Sequence, residues 1–412
     1  MFASWILAHY GPGALVAVAE PDEIKRNKIV EAHEISPENV FETWQGMLAG
    51  KKLADVLINT TMDREHVGSA CAGMSLGYHM LLEKPLATNL ADCTRIDDVR
   101  RQTGRIVSVC HSLRYNSVYE RARDLIDSGA IGDVVSLDQL EAVEHTHQAH
   151  SFVRGNWSNE GRSTFMLLAK SCHDLDVIAW LIDKPCHRVT SFGGLKHFTK
   201  ENAPIGAPEF CVEGCPVEDT CPYHAWKLYG PKGAWRWAGG FQDMSPQETT
   251  KALATSRFGR CVYRSDNDVV DHQVVALEFG QGITATFTMT AFTPWGGRYV
   301  RVHGTKGYLE VKIDQRSIDL WEFWDGNRHT HFEIPEDDGG HGGGDDRLMK
   351  DLIKAISRTD ASRVRTSTSE SLRTHRLVFA SEHSRRLGRV VEMDELDTLE
   401  AKSPLLPHGQ PV

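Results

Sequence analysis

From residue 14 to residue 110 the chain repeats one pattern: a short run of strand-forming residues, a turn signal, then a stretch with helical spacing of apolar residues. The runs are 14–19 (ALVAVA), 55–59 (DVLIN), 78–82 (YHMLL) and 105–110 (RIVSVC). Strands alternating with helices in this way read as parallel βαβ units. Glu20-Pro21-Asp22 closes the first run, and Asp22 is expected to cap the helix that carries Ile24, Ile29 and Val30. Further helices are expected around His66, Val67 and Ala70 and from about 89 to 101. After Gly132 the texture changes, because 134–143, 273–279, 282–290 and 298–311 alternate apolar and polar residues over longer spans. That pattern predicts a mostly antiparallel sheet, followed by helices at 347–356 and 369–387. No internal repeat is visible.

Composition narrows the function classes. The 412 residues, 41% of them hydrophobic, suffice for two globular domains with real cores. A net charge of −10, from 46 basic and 56 acidic residues well interspersed, argues against nucleic acid or an anionic membrane as the partner. The opening MFASWILAHYGPG lacks a cationic segment, and no run of about 18 apolar residues is present to span a bilayer, so the cytoplasm is the expected compartment. Nine cysteines in such a chain read as reduced thiols or metal ligands rather than a disulfide framework. Cys211, Cys215 and Cys221 fall within eleven residues and Cys261 lies farther on. Together they suit either a closed structural zinc site pinning an excursion of the second domain or a loop of reduced, partly buried thiols.

Five ordered motifs carry a resemblance that covers nearly the whole chain: AVAEPD, LLEKPLA, HSLRY, SCHDLDVIAWL and HGTKGYLEV. In these the chain resembles the glucose-fructose oxidoreductase / inositol dehydrogenase / MocA (Gfo/Idh/MocA) family. HSFVRGNWSNE, MLLAKSCHDLD, CVEGCPVEDTCPYHAWKLY, DNDVVDHQ and HGGGDD are similar to one branch of it, which we read as acting on sugars or glycosides. The resemblance implies a Rossmann-like, doubly wound parallel sheet followed by an α+β domain with a large, mostly antiparallel sheet. The expected division is 1–131 for NAD(P) binding, 132–368 for substrate and oligomerisation, 369–397 as a helix and strand packing back, and 398–412 as a loose tail. The implied activity is NAD-dependent hydride transfer at a secondary alcohol of a sugar, polyol or glycoside, in a homo-oligomer (dimer or tetramer). Two alternatives remain: an NAD-using glycosidase working through transient oxidation, which yields no net NADH, and a non-catalytic binding or scaffold member.

Oxidising an alcohol needs a hydride acceptor, a base for the hydroxyl proton and donors that hold neighbouring hydroxyls. Lys84, set by Pro85 after a parallel strand, stands where such sheets bind ligands, although a strand-end lysine paired with Glu83 is the bland reading. The family match favours Lys84 as a catalytic residue with Glu83 orienting it. His173 can take or relay the proton. Lys170, His173 and Asp174 fall at i, i+3 and i+4, which on a helix gives one face, and the bland reading is a Lys170–Asp174 ion pair in solvent. Where most of the family has an aspartate four positions before the histidine, this chain has Ala169, so His173 is taken as the base and Lys170 as a second cation. Glu20 closes a βα unit as an acceptor for ribose hydroxyls and favours NAD over NADP. Thr60, Thr61, His66 and Arg114 are further cofactor candidates. Tyr115, Arg154, Asn156, Trp157, Asp174, His341 and Asp345 are substrate candidates. Lys84 and His173 are expected to serve one nicotinamide-facing pocket.

One departure bears on all of this. A dinucleotide-binding domain opens with a strand and a G-x-G-x-x-G turn at a helix N-terminus, whereas this chain opens inside the helix that should follow that turn, and Gly11-Pro12-Gly13 stands before the second strand and cannot replace it. The first strand is therefore expected to be missing, which leaves two inner strand edges of a 3-2-1-4-5-6 sheet unpaired. The expectation is that the natural chain starts upstream and that this form binds NAD weakly.

Overall fold

In a computed structural model, which describes residues 2–324, 326–337 and 339–405, the chain forms two compact units. Among the described residues the first holds 2–128 with 333–376, and the second 129–332 with 377–405.

The first unit is parallel α/β. Its strands β1 (Val18–Ala19) and β2 (Val40–Phe41) form a parallel pair, and β3 (Val56–Asn59), β4 (His79–Leu82) and β5 (Val107–Val109) a second parallel sheet in that order. Among the described residues no strand joins the two pieces, so the sheet is divided between them. This explains why the expected strand at 14–19 shrinks to two residues: β1 has a ladder partner only at Val40 and Phe41. The chain opens with the helix Phe2–Tyr10. Asp22 caps the helix Glu23–His33, accepting from Lys25 N at 3.1 Å, and Asn89 caps Leu90–Thr103 through Asp92 N at 2.9 Å. The helix His66–Ser75 lies against the sheet at Gly73, where a Cβ would meet Leu57 at 2.6 Å and Met80 at 3.0 Å. On the other side the helix Gly344–Ser357 packs Leu348, Met349 and Leu352 on Leu81, Cys110 and Tyr115.

The second unit is built on one nine-stranded sheet. Its strands are β6 (Val134–Ala142), β7 (Cys186–Gly194), β8 (His272–Phe279), β9 (Thr284–Thr290), β10 (Gly297–Gly304), β11 (Gly307–Lys312), β12 (Ser317–Glu322), β13 (Arg328–Glu333) and β14 (Val391–Glu392). They lie in the order β13-β12-β11-β10-β6-β9-β8-β7-β14. The β6–β9 pair is parallel, whereas the β10–β6, β10–β11, β11–β12, β7–β8, β8–β9 and β14–β7 pairs are antiparallel. Burial alternates along β8 and β9, so Gln273, Val275 and Leu277 face inward while His272, Val274 and Ala276 face out. The expected strand 298–311 is two strands, turned at Thr305-Lys306; a Cβ on Gly304 would strike Ile131 O at 2.1 Å. The helix Cys172–Ile182, nearly all buried, packs on the sheet at β6 and β9. Between β7 and β8 the chain makes a long excursion with a core of its own, including Phe198, Cys211, Tyr229, Leu253 and Cys261. Leu396–Lys402 form a helix held by His383 Nε2 to Glu400 Oε1 at 2.7 Å, so the tail expected to be loose from 398 is helical to 402; residues 406–412 of that tail lie outside the described residues.

Candidate active site

In the first unit the candidate groups sit in loops at the carboxyl ends of strands. The Lys84-Pro85 peptide after β4 is cis, and two buried histidines hold that loop from either side. His66 places Nδ1 2.7 Å from Pro85 O and Nε2 3.1 Å from Thr61 O, which ties the Lys84 loop to the loop after β3. His375 accepts from Leu86 N at 3.0 Å through Nε2, so its proton lies on Nδ1, which donates to Ser371 O at 2.7 Å. His66, expected beside the cofactor, is thus fully buried on two backbone carbonyls and positions loops, whereas His375 was not foreseen. Lys84 N donates to Glu83 Oε2 at 3.1 Å, and burial pushes the Glu83 carboxyl above the usual range despite the pull of the Lys84 ammonium. Thr60 is exposed, and Thr61 Oγ1 donates to Asn59 Oδ1 at 2.9 Å. Glu20 follows β1, its Oε1 accepting from Asp22 N at 2.9 Å.

The glycine loop joins this unit as well. His341 Nδ1 meets Asp345 at 3.0 Å, and Asp345 also accepts from Ser112 Oγ. Burial raises the Asp345 carboxyl, but the bonds from His341 and Ser112 outweigh it and hold the group below the usual range. The Asp345 carboxylate adds a small upward push to Glu83. Arg114 and Tyr115 are almost wholly buried among protein groups, Arg114 Nη1 lying 3.5 Å from Glu370 and Tyr115 OH accepting from Arg365 N at 3.2 Å. Their described contacts are with protein, not with a cleft.

In the second unit the site is a chain of buried charges. Gln139 and Glu141 alternate on β6 and face the helix carrying His173, and Arg298 on β10 stands directly opposite Glu141. Glu141 takes Lys170 Nζ at 3.0 Å on one oxygen and Arg298 Nε at 2.9 Å on the other. Arg298 also reaches Asp174 at 2.7 Å, and Gln139 Nε2 donates to Asp174 at 2.6 Å. Burial pushes the Asp174 carboxyl up while Arg298 pulls it down, and burial prevails. His173, 4% exposed, opens the helix Cys172–Ile182 beside Asp174. His147 is pressed down to about 3 by burial and by the Lys170 cation, with smaller pushes from His150 and Arg298, and so stays neutral.

Two expectations are corrected here. Lys170 does not share a helical face with His173 and Asp174, because the helix breaks: Met166–Ala169 ends, Lys170 takes φ −110°, ψ −55°, and a new helix starts at Cys172. Nor is there a solvated Lys170–Asp174 pair, since Lys170 turns to buried Glu141 instead. Glu141, Gln139 and Arg298 were missed; the signal was a polar pair two apart on β6, a spacing that puts both on the inward face.

The remaining candidates lie apart from this network. Asn156 Oδ1 accepts from Arg257, Trp157 packs on Phe152 at 6.4 Å between ring centres, and Arg154 turns into the excursion. Cys211, Cys215, Cys221, Cys261 and Arg154 line one small cavity there. A tetrahedral zinc ion binds four ligands at about 2.3 Å from sulfur, yet among the described residues no three His, Cys, Asp or Glu side chains close in that way, so the expected zinc site is not supported.

A parallel sheet with a lysine loop after its fourth strand, and an antiparallel unit with a buried His–Asp helix, are the two-part architecture of an oxidoreductase whose Rossmann fold binds NAD. The oxidoreductase family's NAD-binding Rossmann fold matches residues 3–111, and its C-terminal alpha/beta domain matches 123–393. The chain belongs to the Gfo/Idh/MocA oxidoreductase family. It is 23% identical over 315 residues to a putative oxidoreductase, YteT, of Bacillus subtilis, covering 73% of this chain and 72% of that one. It is 32% identical over 154 residues to an inositol 2-dehydrogenase of Gluconacetobacter diazotrophicus, covering 37% and 42%. Among solved structures, a levoglucosan dehydrogenase complexed with NADH and levoglucosan matches with a TM-score of 0.66 at 16% identity, over 95% of this chain and 94% of that one. An oxidoreductase domain protein from Kribbella flavida matches with a TM-score of 0.68 at 15% identity, over 92% and 90%. At these identities the structural likeness is one of fold. No helix among the described residues is long and apolar enough to cross a membrane.

The donor set fits NAD in part. Glu20 stands at the end of β1, as a ribose-binding carboxylate does, while a glycine-rich turn for the pyrophosphate is not among the described residues.

Proposed function

We propose that this chain transfers hydride between NAD, in preference to NADP, and a secondary alcohol of a sugar, polyol or glycoside. The observation that supports this most is the buried chain Lys170–Glu141–Arg298–Asp174–Gln139 beside His173. Two cations balance two carboxylates there, and the helix bearing His173 is fixed by Asp174, so the imidazole is presented in one orientation.

In this reading bound NAD supplies the hydride acceptor. His173 takes the hydroxyl proton and Lys170 holds a neighbouring oxygen, while Lys84, after β4, supplies an ammonium that polarises an oxygen as it becomes a carbonyl. Glu83 orients Lys84, and His66 and His375 fix the loop that carries it. Glu20 accepts the ribose hydroxyls, and its charge disfavours a 2′-phosphate. Thr60 and Thr61 approach the cofactor through backbone and hydroxyl groups. We further propose a homo-oligomer formed through the outward face of the nine-stranded sheet, where Phe192 and Val274 are exposed.

A panel of sugars, polyols and glycosides, assayed with NAD and with NADP, tests the reading. Net NADH from at least one member supports it. Glycoside cleavage without net NADH, or tight sugar binding with no turnover at all, overturns it.

A further inference from the structure

We propose, on the basis of the dehydrogenase reading in which Lys170 holds a substrate oxygen, that the excursion between β7 and β8 supplies an outer sugar subsite. Trp235 and His147 form its wall beside Lys170, and the substrate is a glycoside that carries a second sugar ring beyond the one oxidised. The wall begins at a strained stretch of chain. After β6 the backbone turns at Glu144, which takes φ 76° and ψ 138° although it is not a glycine. The Glu144 carboxylate accepts from Thr146 N at 2.9 Å and from His147 N at 2.8 Å, and a π-helix, Gln148–Arg154, follows at once. A positive φ outside glycine and a π-turn are both unfavourable locally, and they persist mostly where a functional side chain has to be aimed. The side chain at this junction is His147, half-buried in the same unit as Lys170.

Burial and the nearby Lys170 ammonium keep the His147 ring neutral, so it carries one N–H and one bare lone pair. The Val143 carbonyl draws the N–H, and the other ring nitrogen has no hydrogen-bond partner among the described residues. An acceptor nitrogen beside a cation suits a hydroxyl group, which donates to the imidazole while its oxygen accepts from the ammonium. Against this acceptor stands an indole from the excursion. The Trp235 ring centre lies 5.0 Å from that of His147 and 4.5 Å from that of His150, on which it stacks at 18°. Trp235 Nε1 donates to Thr146 Oγ1 at 2.9 Å, so the polar atom is committed to the His147 turn and the rest of the half-buried ring is apolar. Arg236 anchors the loop, donating to Tyr229 O at 3.3 Å, to Thr249 Oγ1 at 3.4 Å and to Met244 O. A sugar ring presents C–H bonds on its faces and hydroxyls at its rim, which matches an aromatic surface flanked by an acceptor and a cation. Among the described residues Trp235 makes no hydrogen bond or ring contact with Glu141, Arg298, His173 or Asp174, and it joins the site only through His147 and its turn. The indole therefore meets the ring next to the one that His173 and Lys170 hold.

The test is calorimetric titration of the full chain, with NAD present, using methyl glucosides, methyl galactosides, cellobiose, maltose and lactose, with NADH followed in the same mixtures. At least one disaccharide is expected to bind about tenfold more tightly than the methyl glycoside of a ring it contains. Trp235→Ala removes that gain and leaves the Kd of the methyl glycoside unchanged, whereas Trp235→Phe, which keeps a ring, retains most of it. His147→Phe keeps a ring but loses the acceptor nitrogen, and it weakens the disaccharide several-fold. Wild-type chain that binds disaccharides no more tightly than methyl glycosides overturns the proposal. So does a Trp235→Ala chain that loses both ligands alike, the mark of a structural residue. Indole-dependent disaccharide binding without any NADH sinks the dehydrogenase reading and leaves the subsite standing, while NADH from single sugars with no disaccharide gain does the reverse.

Discussion

The two units hold their functional groups by opposite means. In the parallel unit the side chains sit on loops, and the loops are held by buried histidines bonded to backbone: His66 to Pro85 O and Thr61 O, His375 to Leu86 N. In the antiparallel unit they rise from strand and helix, and hold one another through ion pairs that are themselves buried. A group of the first kind can be removed without opening the core, because the scaffold beneath it is separate. A group of the second kind is site and scaffold at once.

The largest effect is expected in the first unit and on chemistry alone. Lys84→Ala lowers kcat by about 10²- to 10⁴-fold, with the thermal midpoint within a degree or two of wild type. A collapse in stability instead erases the contrast drawn here. In the second unit the order reverses: Arg298→Ala leaves buried Asp174 without its cation and Glu141 with Lys170 alone, at a cost of about 3–5 kcal/mol read by urea unfolding. A cost under about 1 kcal/mol shows that the network is not structural.

A smaller effect separates the excursion from the rest. His150 is stacked on Trp235 and Phe258, and burial, with pushes from Arg154 and Arg257, lowers it to about 4 from the ordinary 6.5. Above pH 6.5 the ring is neutral in folded and unfolded chains alike, so it adds no pH dependence. As pH falls from 6.5 toward 4 the unfolded chain takes a proton that the folded chain refuses, and stability declines. Between about pH 7.5 and 5 wild type should lose about 2 kcal/mol more than His150→Phe; equal slopes refute the lowered value. The smallest effect is local: Asp22→Ala lowers the urea midpoint slightly by removing the cap on Lys25 N, and no change there means the cap is not formed in solution.

The same contrast explains what could be read from sequence. Strand-end motifs are local, so EKP announced the Lys84 loop, and Asp22 and Asn89 announced their helices. Strand alternation in VVDHQVV puts Asp271 and Gln273 on one face opposite His272, and both are fully buried while His272 points outward. What stayed hidden depends on pairing across long separations. Arg298 opposes Glu141 only once β10 registers against β6, and His375 meets Leu86 from 289 residues away. Edge strand β13, dense in charge and histidine, gives little apolar alternation to read. The break at Lys170 was illegible because MLLAKSCHDLD has helical spacing throughout, and only the pull of Glu141 on Lys170 shows where the helix stops.

The roles proposed for Lys84 and His173 in one proton and hydride transfer are tested most directly by a double-mutant cycle in kcat. Lys84→Ala, His173→Ala and the pair are compared with the best substrate from the panel. Groups serving a single proton and hydride transfer lose little more together than either loses alone, so the double variant should fall within about tenfold of the weaker single one. Losses that multiply in full would show two independent roles and contradict the account.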